Sequence, residues 1–93
     1  MKKVITSLVL GGVVSVSGLT TAFATTEYVA GGRWEHSVTT KEVHSDYYHL
    51  SKAHKSSVQG TKFDTSGWKS RGYPAKSVAP RALSGNKAYY DVQ

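Results

Sequence analysis

The sequence predicts an all-β fold, a small antiparallel β-sandwich or small barrel of short strands, preceded by a helical signal peptide. Three observations lead there. Over Arg33 to Val38, Trp34, His36 and Val38 fall on one face while Arg33, Glu35 and Ser37 fall on the other, the period-two pattern of a half-buried strand. Lys87 to Val92 alternates in the same way, with Ala88, Tyr90 and Val92 set against Lys87, Tyr89 and Asp91. Between these runs Gly60, Pro74, Pro80 and Ser84-Gly85-Asn86 break the chain at short intervals, as a multi-stranded sheet protein requires.

Taken in order, Met1-Lys2-Lys3 is a basic head and Val4 to Ala24 is uncharged, closing on Ala22-Phe23-Ala24. This is the layout of a secretory leader with a small-residue cleavage site, which sets residues 1–24 as the signal peptide and 25–93 as one exported domain. An uncleaved membrane anchor is the alternative, since the run is long enough to span a bilayer. Thr25 to Gly31 reads as a flexible lead, punctuated by Gly31-Gly32. After the Arg33–Val38 strand, Thr39 to Glu42 turns the chain. Val43 to Leu50 is extended, but Val43, Ser45, Tyr47, His49 and His44, Asp46, Tyr48, Leu50 are both mixed faces, so the inward one stays open. Ala53 to Gln59 is a further strand, Thr61 to Gly67 a loop, and Trp68 to Tyr73 and Ala75 to Ala79 are short strands stopped by the two prolines.

Residues 25–93 carry ten Lys and Arg against six Asp and Glu, a net +4, and no cysteine. A domain this small buries a modest fraction of its surface. Without disulfides its stability rests on aromatic packing, on a dense strand network or on self-association. The function classes narrow accordingly. No G-x-S-x-G elbow and no acid pair in a recognisable context is present, so the chain does not read as an enzyme. No cofactor loop is present. His36, His44, His49 and His54, spaced by eight, five and five, match no standard metal-ligand pattern. Export and modest charge speak against nucleic acid as a partner. No segment after the leader is apolar enough for stable membrane insertion.

The densest polar-aromatic stretch is Tyr47 to Val58, with two histidines, two lysines and a tyrosine pair. It suggests a binding surface rather than a reaction centre. The plain alternative makes Lys52 and Lys55 solvated charges and Trp34 and Trp68 core residues.

The ordered set Gly32-Arg33-Trp34-Glu35-His36, Tyr47, His49-Leu50-Ser51-Lys52-Ala53-His54, Val58, Gly67-Trp68 and Lys87-Ala88-Tyr89-Tyr90 resembles the lactococcin 972 family of bacteriocins. The resemblance implies a secreted antibacterial β-sandwich with a tendency to form homodimers. It also implies a target, the cell-wall precursor lipid II, and a block of septum and wall synthesis in Gram-positive bacteria. By residue type and position in that pattern, the target-binding candidates are Trp34, His36, Tyr47, His49, Lys52, His54 and Lys55. A secreted non-toxic β-module that binds the envelope, or serves adhesion or signalling, is the alternative.

Overall fold

The computed structural model describes residues 13–16 and 23–93. Its strands are β1 (Val13–Val16), β2 (Phe23–Val29), β3 (Gly32–Val38), β4 (Glu42–Tyr48), β5 (His54–Gln59), β6 (Phe63–Thr65), β7 (Ala75–Pro80) and β8 (Asn86–Val92). They form two four-stranded sheets, β1-β8-β5-β6 and β2-β3-β4-β7, and every paired neighbour is antiparallel. The chain is thus an all-β sandwich. The expected leader helix falls mostly outside the described residues; within it, Val13–Val16 pairs with β8.

The strands follow from alternation. In β3 Trp34, His36 and Val38 turn inward; in β4 Val43, Ser45 and Tyr47 do, with His49 following. This resolves the open face of Val43–Leu50. Ala75, Ser77 and Ala79 line the inner side of β7. The apolar core is Trp34, Val38, Val43, Tyr47, Val58, Ala79 and Ala88, with Val29, Tyr90 and Val92 packed against it.

Three local expectations are corrected. Thr25 to Gly31 is no flexible lead, because β2 pairs with β3 from Phe23↔Val38 to Val29↔Gly32. Its ladder closes on Ala30 and Gly31, both at positive φ (52° and 83°), the backbone of a tight hairpin turn. Trp68 to Tyr73 is no strand: it touches the ladder through one bridge, His54↔Lys69, and positive-φ residues stand just before it at Gly67 and within it at Gly72. The loop expected over Thr61 to Gly67 contains the three-residue strand β6, paired with Ser57–Gln59.

Hydroxyls tie the two sheets together in a domain that has no cysteine. The Trp34 indole donates to Ser45 Oγ at 2.8 Å, and Ser45 Oγ donates across the sandwich to the Tyr89 carbonyl at 2.8 Å. Ser77 Oγ donates to the Ser45 carbonyl at 3.2 Å. Its single proton being used, Ser77 accepts from Ser56 Oγ at 3.0 Å, since each hydroxyl has one donor. Among the described residues every buried side-chain nitrogen or oxygen has a partner, so these groups avoid the penalty of an unmade bond.

Candidate functional site

Five of the seven residues selected from the sequence lie inside the sandwich: Trp34, His36, Tyr47, His49 and His54 are all buried. Their rings form one internal row. Trp34 stands 4.3 Å from His36 and 4.9 Å from Tyr90. Tyr90 stands 4.8 Å from Tyr47, and Tyr47 is 5.8 Å from His54 and 6.1 Å from His49. In this conformation these side chains hold the fold and present no surface to a target. Lys52 is exposed on the loop between β4 and β5. Lys55, on β5, sets its Nζ 4.8 Å above the ring of Trp68. Trp68, an expected core residue, is about half exposed, because it sits on the loop before β7 rather than on an inner strand face.

A continuous strand would point His49 and His54 to opposite faces. The chain instead crosses from one sheet to the other between them, and their rings come to 6.2 Å. Each then fastens a loop from within. His49 Nε2 meets the Ala30 carbonyl at 3.0 Å, while its Nδ1 faces the backbone N–H of Ser51 (3.2 Å) and Lys52 (3.0 Å). This network needs Nε2 to donate and Nδ1 to accept, which defines the neutral tautomer. His54 differs: Nδ1 faces the Lys52 carbonyl at 2.9 Å and Nε2 the Tyr73 carbonyl at 2.6 Å. Carbonyl oxygens only accept, so both bonds are made at once only by the doubly protonated ring. His36 Nε2 pairs with Glu27 Oε2 at 2.6 Å, and Tyr47 donates its hydroxyl to the Val29 carbonyl at 2.8 Å. Burial, and then the neighbouring Tyr90, push the Tyr47 hydroxyl well above the ordinary phenol range. Burial first, then the charges of Glu27 and Asp91, raise Tyr90 as well.

The loops so fastened make one end of the sandwich. The β2–β3 turn, the 49–54 loop and the 67–74 loop meet there, with the Gly72 N–H donating to the His49 carbonyl at 2.8 Å. A cleft of about 620 Å³ opens on its outer side, lined by Tyr28, Gly31, Gly32, Arg33, Tyr48, His49, Leu50 and Gly72. Arg33 and Tyr48 are register partners, and the guanidinium lies 4.5 Å over the tyrosine ring. Its Nε reaches Glu35 Oε2 at 3.3 Å, and among the described residues its outer nitrogens make no hydrogen bond, so the fork remains free to donate. Gly32 lets the strands close here: a Cβ at that position would stand 2.5 Å from the Tyr48 carbonyl and 2.7 Å from the Tyr47 ring.

The segments 28–33, 48–55 and 67–74 hold Arg33, Lys52, Lys55, Lys69 and Arg71 and no Asp or Glu. Of these cations the sequence reading selected only Lys52 and Lys55. Arg33 was visible as an outward-facing residue and the direction of Tyr48 was open; the register that pairs them is not written in either strand alone. Among the described residues no cluster of His, Cys, Asp or Glu has the geometry to hold a metal ion.

The cleft is thus walled by aromatic rings, with a guanidinium stacked over Tyr48 and ion-paired to Glu35 through its Nε. The family model described as bacteriocin (Lactococcin_972) matches residues 30–90, from the β2–β3 turn into β8. The chain belongs to the lactococcin 972 bacteriocin family, which is not an enzyme family. No curated protein and no solved structure matches the chain.

Proposed function

We propose that the protein is a secreted bacteriocin that binds lipid II and blocks wall synthesis at the septum of sensitive Gram-positive bacteria. The observation that carries this reading is the family match over residues 30–90. The chemistry of the cleft supports it. Lipid II offers a pyrophosphate, sugars and peptide carboxylates. A guanidinium fork suits phosphate and carboxylate oxygens, and the tyrosine faces of Tyr28 and Tyr48 suit sugar rings. Target contact on this reading belongs to Arg33, Tyr28, Tyr48 and Lys52, while the buried histidines shape the loops that carry them.

The test is growth inhibition by the processed protein on a panel of Gram-positive strains, with and without added lipid II. Inhibition that added lipid II relieves is the expected result. Inhibition that lipid II leaves unchanged would keep the bacteriocin and remove this target. A folded protein that inhibits no strain would point to the non-toxic envelope module instead.

A further inference from the structure

We propose that the cation-rich end of the sandwich is a docking surface for anionic phospholipid bilayers. The loop tips at this end expose large side chains: Tyr28 is 81% exposed, Leu50 85%, Tyr73 65% and Trp68 47%. Lys52, Lys69 and Arg71 are exposed among them, and Lys55 and Arg33 stand just behind, over Trp68 and Tyr48. Exposed apolar groups clustered in this way mark an interaction site rather than an ordinary surface. Tyr and Trp, with an apolar body and a wet tip, partition to the boundary between headgroups and acyl chains. Lysine and arginine are drawn to the negative potential of anionic lipids, and here Arg33, Lys52, Lys55, Lys69 and Arg71 outnumber the carboxylates beside them, Asp91 as register partner of Lys55 and Glu35 paired with Arg33.

The same charge pattern argues against two other occupants. A second copy meeting this end across a two-fold axis would set its own like cations opposite each other, which penalises the contact. A nucleic acid would engage the cations but leave Leu50 without a use. The seat on lipid is peripheral: among the described residues no helix is long and apolar enough to cross a membrane. It places the cleft beside the headgroup layer, and it stands whether or not lipid II is the target.

The experiment uses the processed protein recovered from cells that make the whole precursor. It is mixed with vesicles of phosphatidylcholine alone, or of phosphatidylcholine and phosphatidylglycerol in equal parts, all free of lipid II. Trp34 is 2% exposed and Trp68 47%, so a blue shift of tryptophan fluorescence reports Trp68 entering the interface. Expected are a blue shift and co-sedimentation with anionic vesicles, at least ~10-fold weaker on neutral ones and weakened by salt. Charge reversal of Lys52, Lys69 and Arg71 to Glu should weaken binding ~10-fold or more, and reversal of Lys41, Lys62 and Lys87 at the other end less than ~2-fold. Equal losses from the two triple variants would overturn the proposal, since binding would then follow net charge alone. So would the absence of a blue shift, or equal affinity and shift with duplex DNA. Should the first variant not fold, the wild-type shift on anionic but not neutral vesicles decides alone. Because the vesicles hold no lipid II, a negative result here leaves the growth-inhibition test untouched.

Discussion

The two ends of the sandwich are built from different bonds. At the end opposite the cleft, turn residues secure their own neighbourhood. Thr39 Oγ1 accepts from the Lys41 and Glu42 N–H groups. Asn86 exchanges two hydrogen bonds with the backbone of Ala82, at 2.7 and 2.9 Å. Arg81 reaches the Thr39 carbonyl at 3.2 Å. At the cleft end the loops are fastened from inside, by the buried rings of His49 and His54. The first arrangement spends loop side chains on loop geometry. The second leaves Leu50, Lys52, Arg71 and Tyr73 free to face outward. An end of a sandwich can therefore carry apolar and charged residues outward without losing its shape, provided that its anchors lie in the core.

Breaking the inner anchor should produce the largest effect. His54→Ala orphans the Lys52 and Tyr73 carbonyls and leaves a hole, and should cost about 3 kcal/mol or more, read as a drop in denaturation midpoint. Hydrogen exchange should rise with it in the 49–54 and 67–74 loops, and unchanged protection there would refute the anchoring role of His54. Gly32→Ala comes next, since its methyl would collide with Tyr48 backbone and the Tyr47 ring; about 1–3 kcal/mol is expected, with hydrogen exchange rising at the β2–β3 turn. Arg81→Ala, at the outer-fastened end, should cost only about 0.5–1 kcal/mol. Vesicle binding should be unchanged by it, and a matching loss would erase the distinction between the ends.

The smallest effect concerns pH. Burial lifts the Asp46 carboxyl above its ordinary value of 3.8, with Glu35 adding to the rise and Lys76 and His44 opposing it. The folded state then holds this proton more tightly than the unfolded chain. The stability it contributes is complete below 3.8 and is lost as pH climbs through the raised folded value. Asp46→Asn should flatten that slope, measured as denaturation midpoints across the acid range. An unchanged slope would show that other carboxylates set it.

Where side chains alternate over six or more residues the sequence was enough, as in β3 and β8, and the breakers Gly60, Pro74 and Pro80 bounded β5 and β7 to within a residue or two. β2 was missed because Thr25, Thr26 and Glu27 look solvated, and only its pairing with β3 orders them. Trp68 misled because a large ring suggests a core, whereas here it supports Lys55 on a loop. The histidines misled in the opposite sense. Their polarity suggested a surface, yet the alternation already put His36 on the face of Trp34 and Val38, and His49 on that of Val43 and Tyr47. That shared face was the available clue to their burial. The cleft was out of reach, since it depends on the register Arg33↔Tyr48 and on a return of residues 72–73 to His49 and His54.

The serine relay between the sheets has a geometric consequence. Apolar faces alone would tolerate a slip of one sheet over the other, because grease has no address. Ser45 can meet the Tyr89 carbonyl, and Ser56 can meet Ser77, in a single alignment. Any slip strands the buried hydroxyls of Ser45 and Ser56, and satisfied polar groups of this kind single out one core arrangement. The hydroxyls thus work as the notches of a key. They do so in a chain with no cysteine, so the same alignment is reached whatever the redox state of the surroundings.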